Sequence, residues 1–191
     1  MSRKSMFIAA LAIAAPIAAM AAGINPPAVP SNLEAPPGSK VFAIGHAVGT
    51  QNNVCLPDGA GAKWVLFGPQ ATVFDEDGDQ LMTHFLSPNP AESNAARATW
   101  QHSSTTSAVW AVKEEESDDP QFVAPDAIKW LRLRVVGAQE GTSSRDRLPK
   151  TTYIQRVNTS GGVAPAAECA APGDVSKTKL VPYTADYVFY Q

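Results

Sequence analysis

Three histidines are the residues of this sequence best suited to chemistry: His46, His84 and His102. Each lies in or beside a strand-like run, and imidazole nitrogens brought together could bind Zn²⁺ or Cu²⁺. The three are separated by 38 and 18 residues, which is not the spacing of a local ligand motif. Two hypotheses remain open: a metal site that uses His84 with His102 or His46, and histidines that are hydrogen-bonded parts of the fold.

Other catalytic signatures are absent from the sequence. It has no G-x-S-x-G elbow, H-E-x-x-H motif, Walker loop or C-x-x-C pair. A hydrolytic carboxylate pair is a weaker option, because nothing singles out two of the 18 acidic residues. The acidic run at 75–79 fails the EF-hand spacing, since Gln80 and Leu86 occupy the positions of glycine and glutamate. Whether the protein is an enzyme stays uncertain, and we favour a non-catalytic protein.

Arg156 is the only charged residue in the strand-like run at 151–158, where it shares a face with Ile154. A guanidinium in such a place needs an acceptor, and a carboxylate bound through two hydrogen bonds is the strongest one. The sequence offers Asp186 or Glu168 as internal partners, and we favour these over the alternative, an anionic ligand.

A second basic row lies in the run at 128–136. Trp130, Arg132 and Arg134 alternate with leucines and valine, so the three side chains should share the wet face of a sheet. An exposed row of this kind would suit a glycan, a cell-envelope polymer or a protein partner. We therefore treat Trp130, Arg132 and Arg134 as a candidate ligand surface.

The two cysteines, Cys55 and Cys169, predict a disulfide if the chain is exported. Closing so long a loop would stabilise the fold by about 4–5 kcal/mol in the chain-entropy model. The alternative is a pair of free buried thiols. A domain of this size can bury a sufficient core, so no cofactor is required for folding.

The first residues have the features of a signal peptide. Arg3 and Lys4 precede an apolar run at 6–20, and Ala19 and Ala21 give the small-x-small pattern before cleavage. We therefore expect a signal peptide at 1–21 and a periplasmic or extracellular protein. The apolar run is shorter than the ~20 residues of a membrane-spanning helix, and no transmembrane segment is expected in the mature chain.

The rest of the chain predicts an all-β domain. Residues 22–39 are rich in proline and should be loosely held, and a single β domain should occupy 40–191. About ten short strands with glycine and proline between them favour an antiparallel β-sandwich or a barrel, with little helix outside the signal peptide. Asp77 and Gly78 mark a hairpin turn, and residues 91–97 could form a helical turn or two. Alternation at the end of the chain predicts a long final strand whose apolar face is central to the core: Val181, Tyr183, Ala185, Tyr187 and Phe189.

The charge of the chain argues against nucleic acid as a partner. The formal net charge is −3, and two of the 15 basic residues lie in the predicted leader. A mildly acidic mature protein lacks the basic surface that binds phosphates.

Four blocks of sequence stand out, at residues 83–90, 100–103 with 107–111, 152–165 and 181–190. Together they resemble the DUF3455 family of exported bacterial and fungal proteins of unknown function. The resemblance implies export and a single domain, and it implies no activity. Some fungal relatives carry a dehydrogenase label, but this chain has no G-x-G-x-x-G between a strand and a helix.

The function hypothesis is a non-catalytic binding or envelope-associated protein. The alternative is a metal-binding protein or metal-dependent enzyme that uses His84 with His102 or His46.

Overall fold

The structure is a computed structural model, and it describes residues 24–191. The signal peptide expected at 1–21 lies outside the described residues. Within residues 24–191, no helix has both the length and the apolar character needed to cross a bilayer.

Eight antiparallel strands form a closed barrel in which each strand pairs with its neighbours in chain order and the last pairs with the first. The all-β prediction is confirmed, and the barrel is the architecture adopted. The strands are β1 (Val41–Asp58), β2 (Gly61–Phe74), β3 (Gln80–Asn89), β4 (Ala95–His102), β5 (Ala108–Ser117), β6 (Trp130–Gln139), β7 (Tyr153–Gly161) and β8 (Thr178–Tyr190).

Helix in the described residues is limited to short 3-10 turns. The helical turn expected at 91–97 is reduced to one such turn, after which β4 begins at Ala95. The hairpin turn predicted at Asp77 and Gly78 is confirmed, and Gly78 has a φ of +85°. The 3-10 turns in the described residues are Ser31–Leu33, Pro90–Glu92, Leu148–Lys150, Ala166–Glu168 and Pro172–Asp174.

The strands are fewer and longer than predicted, because glycines taken as breaks lie within β1. A Cβ atom on Gly45 would lie 2.4 Å from Val73 Cγ1, and one on Gly49 would lie 2.2 Å from the carbonyl oxygen of Gln70. These glycines therefore permit close contact between β1 and β2 rather than ending a strand. β1 runs unbroken through both of them for 18 residues.

The main hydrophobic core fills one end and the middle of the barrel. Alternate residues of β8 lie in it, as the sequence pattern predicted: Tyr183, Ala185, Tyr187 and Phe189 are all buried. Leu148, from the connection between β6 and β7, packs into the same core. The barrel is therefore filled with side chains at the end where this connection lies.

A second hydrophobic cluster lies on the outer face of the barrel. Leu33 belongs to it and is fully buried together with Trp130, Val157 and Val188. The expectation that residues 22–39 are loosely held is therefore wrong around Leu33. The segment before β1 covers apolar side chains on the outside of the barrel wall.

A disulfide joins Cys55 in β1 to Cys169 in the connection between β7 and β8, as predicted. The two Cα atoms are 5.8 Å apart, and the described residues include no free cysteine. Disulfides persist in oxidising compartments, so the bond indicates such an environment for the folded protein.

Candidate functional site

The barrel is hollow at the end where β3 ends and β4 begins. The cavity there has a volume of about 450 Å³ and is open to solvent. This volume is within the range of about 300–1,000 Å³ that small-molecule sites occupy. The cavity is the strongest candidate for a functional site in the described part of the chain.

Apolar side chains form most of the cavity wall. Leu66, Phe67 and Leu86 line it and are 51%, 50% and 42% exposed, so they form an apolar rim. Small side chains on β4 and β5 keep the space open between the rim and the core. The apolar lining residues are Leu66, Phe67, Pro69, Leu86, Ala96, Ala98, Trp100, Ala111, Val112, Leu131, Leu133 and Tyr187.

Three aromatic rings form the inner end of the cavity. The rings of His84 and Trp100 stack with centroids 4.2 Å apart, and they are cross-strand partners on β3 and β4. The ring of Tyr187 from β8 lies 4.9 Å from His84 and 5.2 Å from Trp100. All three residues are fully buried, so the inner end is rigidly packed.

His84 is neutral in the folded protein. Burial lowers the pKa of His84 to about 3, and the nearby charge of Arg156 acts in the same direction. The backbone carbonyl of Thr99 lies 2.9 Å from Nδ1 and can only accept, so Nδ1 carries the proton and Nε2 the lone pair. His84 therefore has one hydrogen-bond acceptor atom left for another group.

Arg156 provides a positive charge in the cavity lining. Its Nε and Nη2 atoms donate to the backbone carbonyl oxygen of Lys129 at 3.2 and 2.8 Å. The expected carboxylate partners are engaged elsewhere: Asp186 accepts from Asn158, and Glu168 pairs with Lys179. The prediction of an internal carboxylate for Arg156 is therefore wrong, because the fold supplies a neutral carbonyl instead.

Two tyrosine hydroxyls and an amide add polar atoms to the barrel interior. The hydroxyls of Tyr183 and Tyr187 are 3.2 Å apart, and burial raises the pKa of both phenols. Gln51 lines the cavity beside them. Within residues 24–191, the buried Nε2 of Gln51 and Nε1 of Trp100 have no hydrogen-bond partner.

The three histidines do not meet in the fold. Ala47 faces the barrel core, so His46 faces outward, where its Nδ1 and Nε2 lie 2.7 Å from Asp186 and 3.2 Å from Glu76. His102 accepts a hydrogen bond at Nδ1 from a backbone nitrogen in the turn after β4. Across residues 24–191, no group of three or more His, Cys, Asp or Glu could hold a metal ion. Metal use stays a prediction.

The candidate surface of Trp130, Arg132 and Arg134 is not an exposed row. Trp130 is only 4% exposed and packs edge-on against Phe122, with ring centroids 5.7 Å apart. Arg132 donates to the carbonyl oxygens of two residues of the N-terminal segment, at 3.1 and 2.7 Å. The expectation of an exposed row is therefore wrong for Trp130, because the segment before β1 and the loop before β6 cover this face.

Sequence reasoning missed the cavity and most of its polar atoms. Alternation along β4 and β8 could have assigned Trp100 and Tyr187 to the same interior. Gln51 gave no signal, because it lies in a polar stretch of β1. Whether a barrel interior is filled or hollow depends on the summed volume of all inward side chains, which no local pattern shows.

Comparisons with known proteins yield a family and no function. No curated protein and no solved structure matches the chain. The family described as protein of unknown function (DUF3455) matches residues 36–191, which include all eight strands. The chain therefore belongs to the DUF3455 family.

Proposed function

We propose that this protein is an exported, non-catalytic binding protein that holds one small, largely apolar molecule in the open end of its barrel. The observation that carries the proposal is the 450 Å³ cavity with a mainly apolar wall. Eight-stranded barrels have an interior that is either just filled by side chains or wide enough for one small ligand. This barrel is filled at one end and hollow at the other.

The apolar rim supports the same proposal. Leu66, Phe67 and Leu86 leave a hydrophobic mouth in contact with water. A bound apolar molecule would remove part of this surface from water, and burial contributes roughly 25 cal/mol per Å² of apolar area. The free energy of binding would therefore come mostly from the burial of apolar surface between the ligand and the cavity wall.

The titratable groups of the cavity support binding rather than catalysis. A general acid or base works best when its pKa is near the working pH. Burial lowers the pKa of His84 to about 3 and raises that of Tyr187, so neither group exchanges protons readily near neutral pH. Arg97 and Lys113 line the cavity but are paired with Glu92 and Glu116.

Export is the second element of the proposal. The disulfide supports it, because such bonds are rare in reducing compartments. The test is mass spectrometry of the protein after expression of the full-length chain in a bacterial host. We expect the mature protein in the periplasm or medium, cleaved after residue 21 or 22. An uncleaved chain retained in the cytosol would contradict export.

Binding is tested with N-phenyl-1-naphthylamine, a neutral fluorophore whose emission rises in apolar sites. Substitution Ala98→Phe places a large ring in the cavity, and we expect it to weaken probe binding by about tenfold or more. The matched control is Val48→Phe, since Val48 is 57% exposed and does not line the cavity.

The two variants separate cavity binding from adhesion to the surface. We expect the control to bind the probe as the wild type does. The proposal fails if the wild type does not enhance the fluorescence of the probe, or if both variants bind it equally well.

A further inference from the structure

We propose that the ligand of the cavity is an amphipathic organic anion, with its carboxylate bound by Arg156 beside the aromatic inner end and its apolar part directed to the rim. This inference rests on the proposed function and names the chemical class of its ligand.

The charge of the cavity lining is one-sided. Three basic residues, Arg97, Lys113 and Arg156, line the cavity, and its lining contains no Asp or Glu. The chain as a whole is acidic, with a formal net charge of −3, so the basic cavity is not a consequence of composition. A lining of this sign attracts anions and repels cations.

Arg156 differs from the other two basic residues in its partner. Arg97 is bound by the carboxylate of Glu92 through two hydrogen bonds of 2.8 and 3.0 Å, and Lys113 pairs with Glu116. Within the described residues, Arg156 forms no ion pair and donates instead to the carbonyl of Lys129. A carbonyl satisfies hydrogen bonds but supplies no opposite charge.

The guanidinium also has hydrogen-bonding capacity left. Nε and Nη2 both donate to the carbonyl oxygen of Lys129, and the hydroxyl of Tyr187 is a further polar group within hydrogen-bonding range of the guanidinium. A guanidinium presents about five N–H groups, so several remain for a ligand. A carboxylate is the acceptor that best matches two adjacent N–H groups and a positive charge.

The size and polarity of the wall define the rest of the ligand. The exposed side chains of Leu66, Phe67 and Leu86 lie at the mouth, whereas the rings of His84 and Trp100 are buried. An inorganic anion would leave this apolar surface in water. A molecule with one anionic end and one apolar end fits both parts of the cavity.

The experiment compares decanoate with 1-decanol as competitors of the bound neutral fluorophore, because the two differ only in the charged end. We expect the wild type to bind decanoate about tenfold or more tightly than decanol. With Arg156→Met, we expect decanoate affinity to fall about 10- to 100-fold, while decanol and the fluorophore change by less than about threefold.

Two variants control this test. Arg134→Met removes a 48%-exposed arginine that pairs with Glu114 outside the cavity, and we expect it to leave both competitors unchanged. Arg156→Lys keeps the charge but loses the two-pronged geometry, so its preference for decanoate should be intermediate. If Arg156→Met fails to bind the fluorophore, the inference is tested by comparing the preference for decanoate over decanol in Arg156→Lys with that in the wild type.

The outcomes distinguish the two proposals. A wild type that binds the fluorophore but shows no preference for decanoate, or a preference that survives in both Arg156 variants, overturns the anion inference and leaves the binding function intact. A wild type that does not bind the neutral fluorophore overturns the proposed function itself.

Discussion

Gln155 and Leu33 join the barrel wall to the segment that precedes it. Nε2 of Gln155 donates a 2.6 Å hydrogen bond to the backbone carbonyl oxygen of Leu33. The hydroxyl of Tyr190 donates at 2.6 Å to Oε1 of the same glutamine, so the amide is satisfied at both ends. The Leu33 side chain is fully buried beside this pair. The segment before β1 is therefore part of the folded unit.

Substitution Leu33→Ala should lower the free energy of unfolding by about 2–4 kcal/mol, because it removes a fully buried side chain and leaves a cavity. Urea unfolding measures this loss. Ile24→Ala is the control, since Ile24 is 46% exposed and should change stability by less than about 0.5 kcal/mol. Equal small effects of both substitutions would show that the segment is not docked in solution.

The buried imidazole of His84 should make the protein less stable in acid. Its pKa is about 3 in the folded state and 6.5 in an unfolded chain, so between these values only the unfolded chain takes up the proton. Stability should fall by up to about 1.4 kcal/mol per pH unit as the pH drops below about 6.5.

Replacing His84 with Phe keeps a ring against Trp100 and removes the titrating group. We expect the loss of stability between about pH 7 and pH 4.5 to be about 2–3 kcal/mol smaller in His84→Phe than in wild type. Urea unfolding at the two pH values measures it. An identical pH dependence in both proteins would contradict the burial of a neutral histidine.

His46, on the outer face, should have the opposite effect. Its hydrogen bond to Asp186, with a further contribution from Glu76, raises the pKa of His46 above 6.5. The stabilisation is therefore fully present below about pH 6.5 and is lost as the pH rises through the raised value.

His46→Gln should accordingly be less stable than wild type at about pH 6, by less than about 1 kcal/mol because the pair is partly exposed, and nearly equal to it at about pH 9. Chemical unfolding at both pH values, repeated in about 1 M salt, tests this. The difference should shrink in salt, since ions screen exposed charges. A stability difference between His46→Gln and wild type that grows with rising pH would contradict the raised pKa of His46.

The disulfide should contribute substantially to stability. Cys55 and Cys169 are 114 residues apart, and closing a loop of that length stabilises by about 4–5 kcal/mol in the chain-entropy model. The double variant Cys55→Ser and Cys169→Ser should unfold at correspondingly lower urea. Treatment with a reductant should shift the wild type to the same midpoint and leave the variant unchanged. A variant as stable as the oxidised protein would contradict the prediction.

The sequence was sufficient where structure depends on short-range patterns. Alternation predicted which residues of β8 face the core, and two adjacent turn residues, Asp77 and Gly78, predicted the hairpin between β2 and β3. The export context and an even cysteine count predicted the bond between Cys55 and Cys169. Each of these inferences needs only neighbouring residues or a count.

The sequence was insufficient where contacts between segments that are distant along the chain determine the structure. Trp130 alternates correctly along β6, but its outward face is covered by chain that lies far from it in sequence, around Leu33 and Val123. A carboxylate partner was predicted for Arg156 because the sequence shows which charged residues exist. It does not show that the backbone carbonyl of Lys129 lies nearer to the guanidinium in the fold. The cavity likewise depends on how many large side chains reach the open end.

The bonding of β1 to β8 has a consequence for assembly. Thirteen residue pairs close this seam, so each described strand of the barrel has a hydrogen-bonded neighbour on both sides. Along these paired residues another chain cannot add a strand unless the seam first opens. Backbone-mediated growth on the intact barrel is therefore restricted to strand segments that extend beyond their pairing, such as residues 61–69 of β2, which have no strand partner on the β3 side among the described residues.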